Sequence, residues 1–230
     1  DADVPANVLT YSLEPGAPTG ATINPGTGVL RWRPSLAQAS STNVITMKVT
    51  DDGQPPMSDT ESFTVAVSDY VEVSIGSTVV RAGESGSVPL QLISSDELED
   101  VVFALEYPTN RLVNVRLEGL APQIGSVSVQ GTSTGSVIAI NTALGQVLQG
   151  TNVLGRLAFL AVANQSSAFV PLRVGRMEAG TATYELTNTV GKAGRVVGGG
   201  AEPLREAELL GDGSRGLTLY GKVGANYQIP

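Results

Sequence analysis

Apolar residues recur at every second position through most of the chain. Leu9, Tyr11 and Leu13 share one face of a short run. Ile45, Met47 and Val49 alternate with Thr46 and Lys48, and Phe63, Val65 and Val67 repeat the pattern. Further on, Val71, Val73 and Ile75, then Leu90 and Leu92, then Phe103 and Leu105, keep the same period, and Leu154 to Val162 adds another apolar run. A period of two belongs to strands with one buried face, and no stretch shows the 3.6-residue spacing of a long amphipathic helix. Turn formers separate the runs: Asn24-Pro25-Gly26-Thr27-Gly28 is the clearest case, and the chain carries 27 Gly and 13 Pro in 230 residues. The pattern predicts an all-β protein of tandem antiparallel β-sandwiches, with minimal helix. Trp32, the single tryptophan, lies between Leu30 and Pro34 and is expected at the centre of the first core.

The first seventy residues carry a second kind of signal. Asp1 and Asp3 stand one residue apart, with Asn7 four further on. About forty residues later comes Val49-Thr50-Asp51-Asp52-Gly53-Gln54-Pro55-Pro56-Met57-Ser58, leading into the strand at Phe63. This order of motifs resembles the bacterial cadherin-like and putative-Ig family of extracellular repeats over residues 1–69. The resemblance implies an Ig-type sandwich on a surface or secreted protein, here lacking its first strand. It also implies calcium: Asp1 and Asp3 match the paired ligands, Asn7 the backbone oxygen donor, and Asp51 the aspartate of V-T-D-x-G. Each offers oxygen, the donor a hard cation requires in sixes to eights. The chain departs from the family at Trp32-Arg33-Pro34-Ser35, which puts an arginine where a carboxylate is needed. The competing expectation is that these aspartates cap turns by accepting backbone N–H bonds.

Residues 70–198 have a different signature. Val71 to Gly76 and Ala82 to Leu92 read as strands around a glycine turn, followed by Val101 to Leu112 with Tyr107-Pro108, and by Leu154 to Val162. The succession resembles cohesins and related bacterial carbohydrate-binding jelly rolls. In cohesins an Asp stands between that Tyr and Pro; here it is missing. The resemblance implies a sandwich that binds a dockerin through one sheet face, and nothing in the sequence marks the face. In the remainder, Thr189 to Val197 reads as a closing strand and Gly198-Gly199-Gly200 as a linker. Glu202 to Leu210 is open between a short helix and a strand, and Gly216 to Ile229 reads as a hairpin beginning a further module over 199–230.

Composition narrows the function. Net charge is −8 and the 14 basic residues are scattered, which argues against nucleic acid. No apolar run reaches the length of a membrane span. With no Cys there is no disulfide framework, and with no His there is no Ser-His-Asp triad or histidine base. Asp96-Glu97-Leu98-Glu99-Asp100 is dense in carboxylates and reads as a solvated loop. The expectation is therefore not an enzyme. It is a structural or adhesive segment of a large bacterial extracellular or cell-surface protein, touching neighbouring domains or copies of itself. The alternatives are a dockerin- or carbohydrate-binding module and an accessory region of a secreted polysaccharide-degrading enzyme.

Overall fold

The computed structural model describes residues 7–200, 202–209, 211 and 214–221. The chain is nearly all β and divides into two compact units, Asp1–Tyr70 and Val71–Pro230.

In the first unit β1 (Thr10–Leu13) pairs antiparallel with β4 (Ser41–Thr50), which pairs along its whole length with β5 (Ser58–Val67). Two-residue strands β2 (Thr22–Ile23) and β3 (Leu30–Arg31) form a separate ladder. The turn between them follows from its residues. Asn24 Oδ1 accepts the N–H groups of Gly26 and Thr27, both at 3.0 Å. Gly28 has φ +68°, and a Cβ there would stand 3.0 Å from the Tyr11 ring, so a side chain is excluded by both backbone and space. The core is thin. Ile45 is fully buried, its cross-strand partner Phe63 only half so. Trp32 is not the centre expected of it: it is half-buried, with its indole N–H donating to the Thr19 carbonyl at 3.2 Å. The indole N–H needs an acceptor, and a carbonyl near the surface supplies one.

The second unit is a two-layer sandwich. One sheet holds, in order, β10 (Leu112–Glu118), β13 (Leu148–Ala161), β8 (Ser85–Leu98), β6 (Val71–Ile75) and β15 (Thr189–Lys192). The other holds β11 (Ile124–Thr132), β12 (Gly135–Thr142), β9 (Asp100–Glu106), β14 (Ala168–Gly180), β16 (Gly194–Gly199) and β7 (Ser77–Arg81). Val88, Leu90, Leu92, Leu154 and Leu157 from the first meet Phe103, Leu105, Ile138, Ile140 and Leu172 from the second in one core. These are the alternate positions of the period-two runs.

Pairing is antiparallel except that β15 runs parallel to β6, and β16 parallel to β7. Both pairs arise from one device. The chain leaves the first sheet for the second at Gly76, between β6 and β7, and does so again at Ala193, between β15 and β16. The crossings lie against each other: a Cβ on Gly194 would fall 2.0 Å from the Gly76 carbonyl oxygen. The single closing strand expected over 189–197 is thus two strands, one in each sheet. Gly198 and Gly199, expected as linker, belong to β16 and pair with Val80 and Arg81.

Within the segment left open between helix and strand, Leu204–Leu209 is strand: β17 (Leu204–Leu209) pairs antiparallel with β18 (Arg215–Tyr220) in a sheet of its own. β18 thus has a partner on its N-terminal side; of the hairpin expected over 216–229, residues 222–229 lie outside the described residues.

Candidate functional site

Of the four expected metal ligands, Asp1 and Asp3 lie outside the described residues. Asn7 and Asp51 come together at one turn: a Cβ on Gly53 would stand 3.1 Å from Asp51 Oδ1 and 3.3 Å from Asn7 Nδ2. Asp51 Oδ1 accepts the backbone N–H of Gly53 at 3.0 Å and of Met57 at 2.8 Å. The Asp51 N–H in turn donates to the Met57 carbonyl at 3.0 Å. This carboxylate closes the loop between β4 and β5. The neighbouring Asp52, not one of the expected ligands, accepts the Val8 N–H at 2.8 Å and ties the N-terminal segment to the same loop. Among the described residues no three acidic side chains converge in the geometry of a metal site.

The second unit offers a surface instead. On the outer face of the six-stranded sheet, the register aligns Ser128, Ala139, Val102 and Glu178 in one row across β11, β12, β9 and β14. Gln130, Val137 and Ala104 form the next row. Ala104, Ala139, Val102 and Val137 are half-buried among their neighbours, while Ser128, Gln130, Asn141 and Glu178 are exposed. The centre is therefore flat and apolar because its side chains are small, and its margin is polar. Arg176 Nη2 and Glu178 Oε1, 2.6 Å apart, form an ion pair on that margin. β14 bulges between Val174 and Met177. At Gly175 a Cβ would come within 2.9 Å of Glu106 Oε1, so the glycine makes room for that carboxylate.

Farther along the same sheet the hairpin is latched by side chains. Arg195 of β16 meets the Glu206 carboxylate with both terminal nitrogens, Nη2 to Oε2 at 2.6 Å. Tyr220 donates its hydroxyl to Glu206 Oε2 at 3.0 Å and sets its ring edge-on to Phe169, centroids 5.8 Å apart. The Arg195 guanidinium also lies 5.3 Å from the Phe169 ring centre. The hydrogen bonds from Arg195 hold the Glu206 carboxyl below its usual range, and the same contact raises the arginine. No sequence motif announces this cluster, whose members are far apart along the chain and each common on a surface.

Comparison with known proteins fits this division. A family model described as a putative Ig domain matches residues 1–68. No curated protein matches the chain. Similar solved structures include cohesins. The seventh ScaB type I cohesin from Pseudobacteroides cellulosolvens is 18% identical with a TM-score of 0.47, covering 60% of this chain and 97% of that one. A non-cellulosomal cohesin from the archaeon Archaeoglobus fulgidus is 17% identical, TM-score 0.43, covering 56% and 91%. The cohesin of a type I cohesin–dockerin complex from Clostridium thermocellum is 12% identical, TM-score 0.47, covering 56% and 94%. A putative Ig domain thus matches the first unit, and the two-layer sandwich of the second is what these cohesins are similar to.

Proposed function

We propose that the second unit is a non-catalytic scaffold module that binds a partner protein of the dockerin class, and that the first unit is an Ig-type spacer in the same extracellular or cell-surface protein. The block of small side chains Val102, Ala104, Val137 and Ala139, from two adjacent rows, carries this reading, because it gives a flat apolar centre with a polar margin. That is the anatomy of a protein-binding patch, with charge excluded from its middle. The cohesin resemblance of residues 70–198 supplies the partner class. The described residues contain no helix long and apolar enough to cross a membrane. The proposal extends to calcium in the first unit: Asp51 and Asn7 would contribute oxygens together with Asp1 and Asp3, and the ion would stiffen the loop between β4 and β5.

Titration calorimetry of the whole chain against a panel of calcium-loaded dockerins tests the main reading. One or more should bind. Ala139→Arg, which puts a charge in the middle of the patch, should weaken that binding at least about tenfold, or roughly 1.4 kcal/mol, with an unchanged circular dichroism spectrum. Binding unaffected by Ala139→Arg would place the site elsewhere. A chain that ignores every dockerin but retains polysaccharide on a glycan array would favour the carbohydrate-binding alternative.

A further inference from the structure

Among the described residues the six-stranded sheet ends at β7, which pairs with β16 along one edge only. Peptide groups alternate in direction along a strand. The Ala82 N–H donates to the Gly199 carbonyl at 3.0 Å, so residues 78, 80 and 82 address β16. The peptide groups of Val79 and the N–H of Arg81 therefore point to the other edge; the Arg81 carbonyl is taken by the Glu84 N–H at 3.0 Å. Two donors and an acceptor are left in a row, the template for an added strand.

A cleft of about 1140 Å³ runs along this edge, lined by Thr78 to Arg81 of β7. Its two walls differ in chemistry. On the outer side of the sheet stand Val79, 61% exposed, with Leu204 and Tyr220 of the latched hairpin. The opposite wall comes from the facing sheet: Ser85 and Ser87 of β8 and Arg156 of β13. Arg156 Nε donates to Ser87 Oγ at 2.9 Å, which fixes the guanidinium plane and leaves its terminal nitrogens as donors.

We infer that this cleft binds an extended peptide segment of a partner protein as an additional strand beside β7. Main-chain hydrogen bonds to Val79 and Arg81 supply the affinity, and the two unlike walls supply the specificity. The segment that fits has apolar side chains at alternate positions, directed at Val79, Leu204 and Tyr220. Its intervening positions are hydroxyl residues with one carboxylate, directed at Ser85, Ser87 and Arg156. The site is independent of the patch on β9 and β12, so either can fail without the other.

Amide hydrogen exchange of the whole chain, followed by nuclear magnetic resonance, reads the edge directly. The probe is an acetylated octapeptide alternating valine with threonine, with one glutamate in place of a threonine. At saturation it should slow exchange at Val79 and Arg81 at least tenfold. The same peptide N-methylated throughout should leave both amides unchanged, since it cannot form a ladder. Val79→Pro, which removes the central donor, should abolish binding with the circular dichroism spectrum intact; if that variant misfolds, the comparison of the two peptides decides alone. No binding, binding without slowing at either amide, or equal slowing by the methylated peptide overturns the inference. So does a Val79 amide already protected without peptide, which would mean that the chain itself or a second copy fills the edge.

Discussion

Asp51 spends its Oδ1 on two backbone N–H groups of one loop, and this has a measurable consequence. Asp51→Ala should cost the first unit about 1–3 kcal/mol, the scale for leaving donors without their acceptor, read by urea denaturation. Calcium gives the second reading of the same residue. If the ion binds there, millimolar calcium should raise the melting temperature of the first unit, chelator should reverse the shift, and Asp51→Ala should abolish it. A melt that ignores calcium leaves the loop-closing role alone. A glycine offers a sharper contrast. Gly194 stands where a Cβ would meet the Gly76 and Ile75 carbonyl oxygens at 2.0 and 2.6 Å, whereas a Cβ on Gly131 would meet nothing within 4 Å. Gly194→Ala should therefore destabilise the second unit by about 1–3 kcal/mol, as overpacking does. Gly131→Ala should fall within about half a kcal/mol of wild type, as ordinary surface changes do. Equal effects in thermal or denaturant unfolding would show that the two sheet crossings are not in tight contact.

At the level of elements, the latched hairpin is held to β14 and β16 chiefly by side chains that include one ion pair. Arg195 lowers the Glu206 carboxyl, so the latch contributes most above the ordinary carboxylate range and loses its charge pairing as the pH falls through the lowered value. Exchange protection of the β17 amides should accordingly be flat near neutrality and drop in acid. Glu206→Gln should give weaker protection with no such drop; an acid drop that survives in that variant would have to come from another group. The strands of the sandwich were readable from the sequence because their alternation is dense: Val88, Leu90 and Leu92 mark a buried face without help from any partner strand. The hairpin was ambiguous because Leu204-Arg205-Glu206-Ala207-Glu208-Leu209 satisfies helical propensity as well as alternation, and only pairing with β18 settles it. The break at Ala193 was invisible for a related reason. Val190 and Val196 sit on opposite sides of a glycine-rich stretch that reads as one strand, and the switch between sheets depends on Gly76, more than a hundred residues earlier. The patch on β9 and β12 was hidden too, since alanines and valines in a strand carry no sign of which face they occupy until register aligns them.

For the whole molecule, the decisive difference is in how much each unit buries. Among the described residues the first unit has one fully buried apolar side chain, Ile45, while the second has a continuous core from Val71 to Val196 contributed by both sheets. Burial of a large aliphatic side chain contributes on the order of 1.5–3 kcal/mol, so the two units differ greatly in the gain available to offset chain entropy. Two-state behaviour is a property of single domains, and units this unequal should not unfold together. Calorimetry of the whole chain should show two transitions, the first belonging to residues 1–70. Exchange should report the same order, with the Ile45 amide of β4 exposed through a lower-energy opening than the Leu90 amide of β8. Asp51→Ala should lower the first transition and leave the second in place; Gly194→Ala should do the reverse. A single transition that both variants shift equally would mean that the units unfold as one cooperative body, and the spacer-and-module division proposed for the chain would then lose its thermodynamic basis.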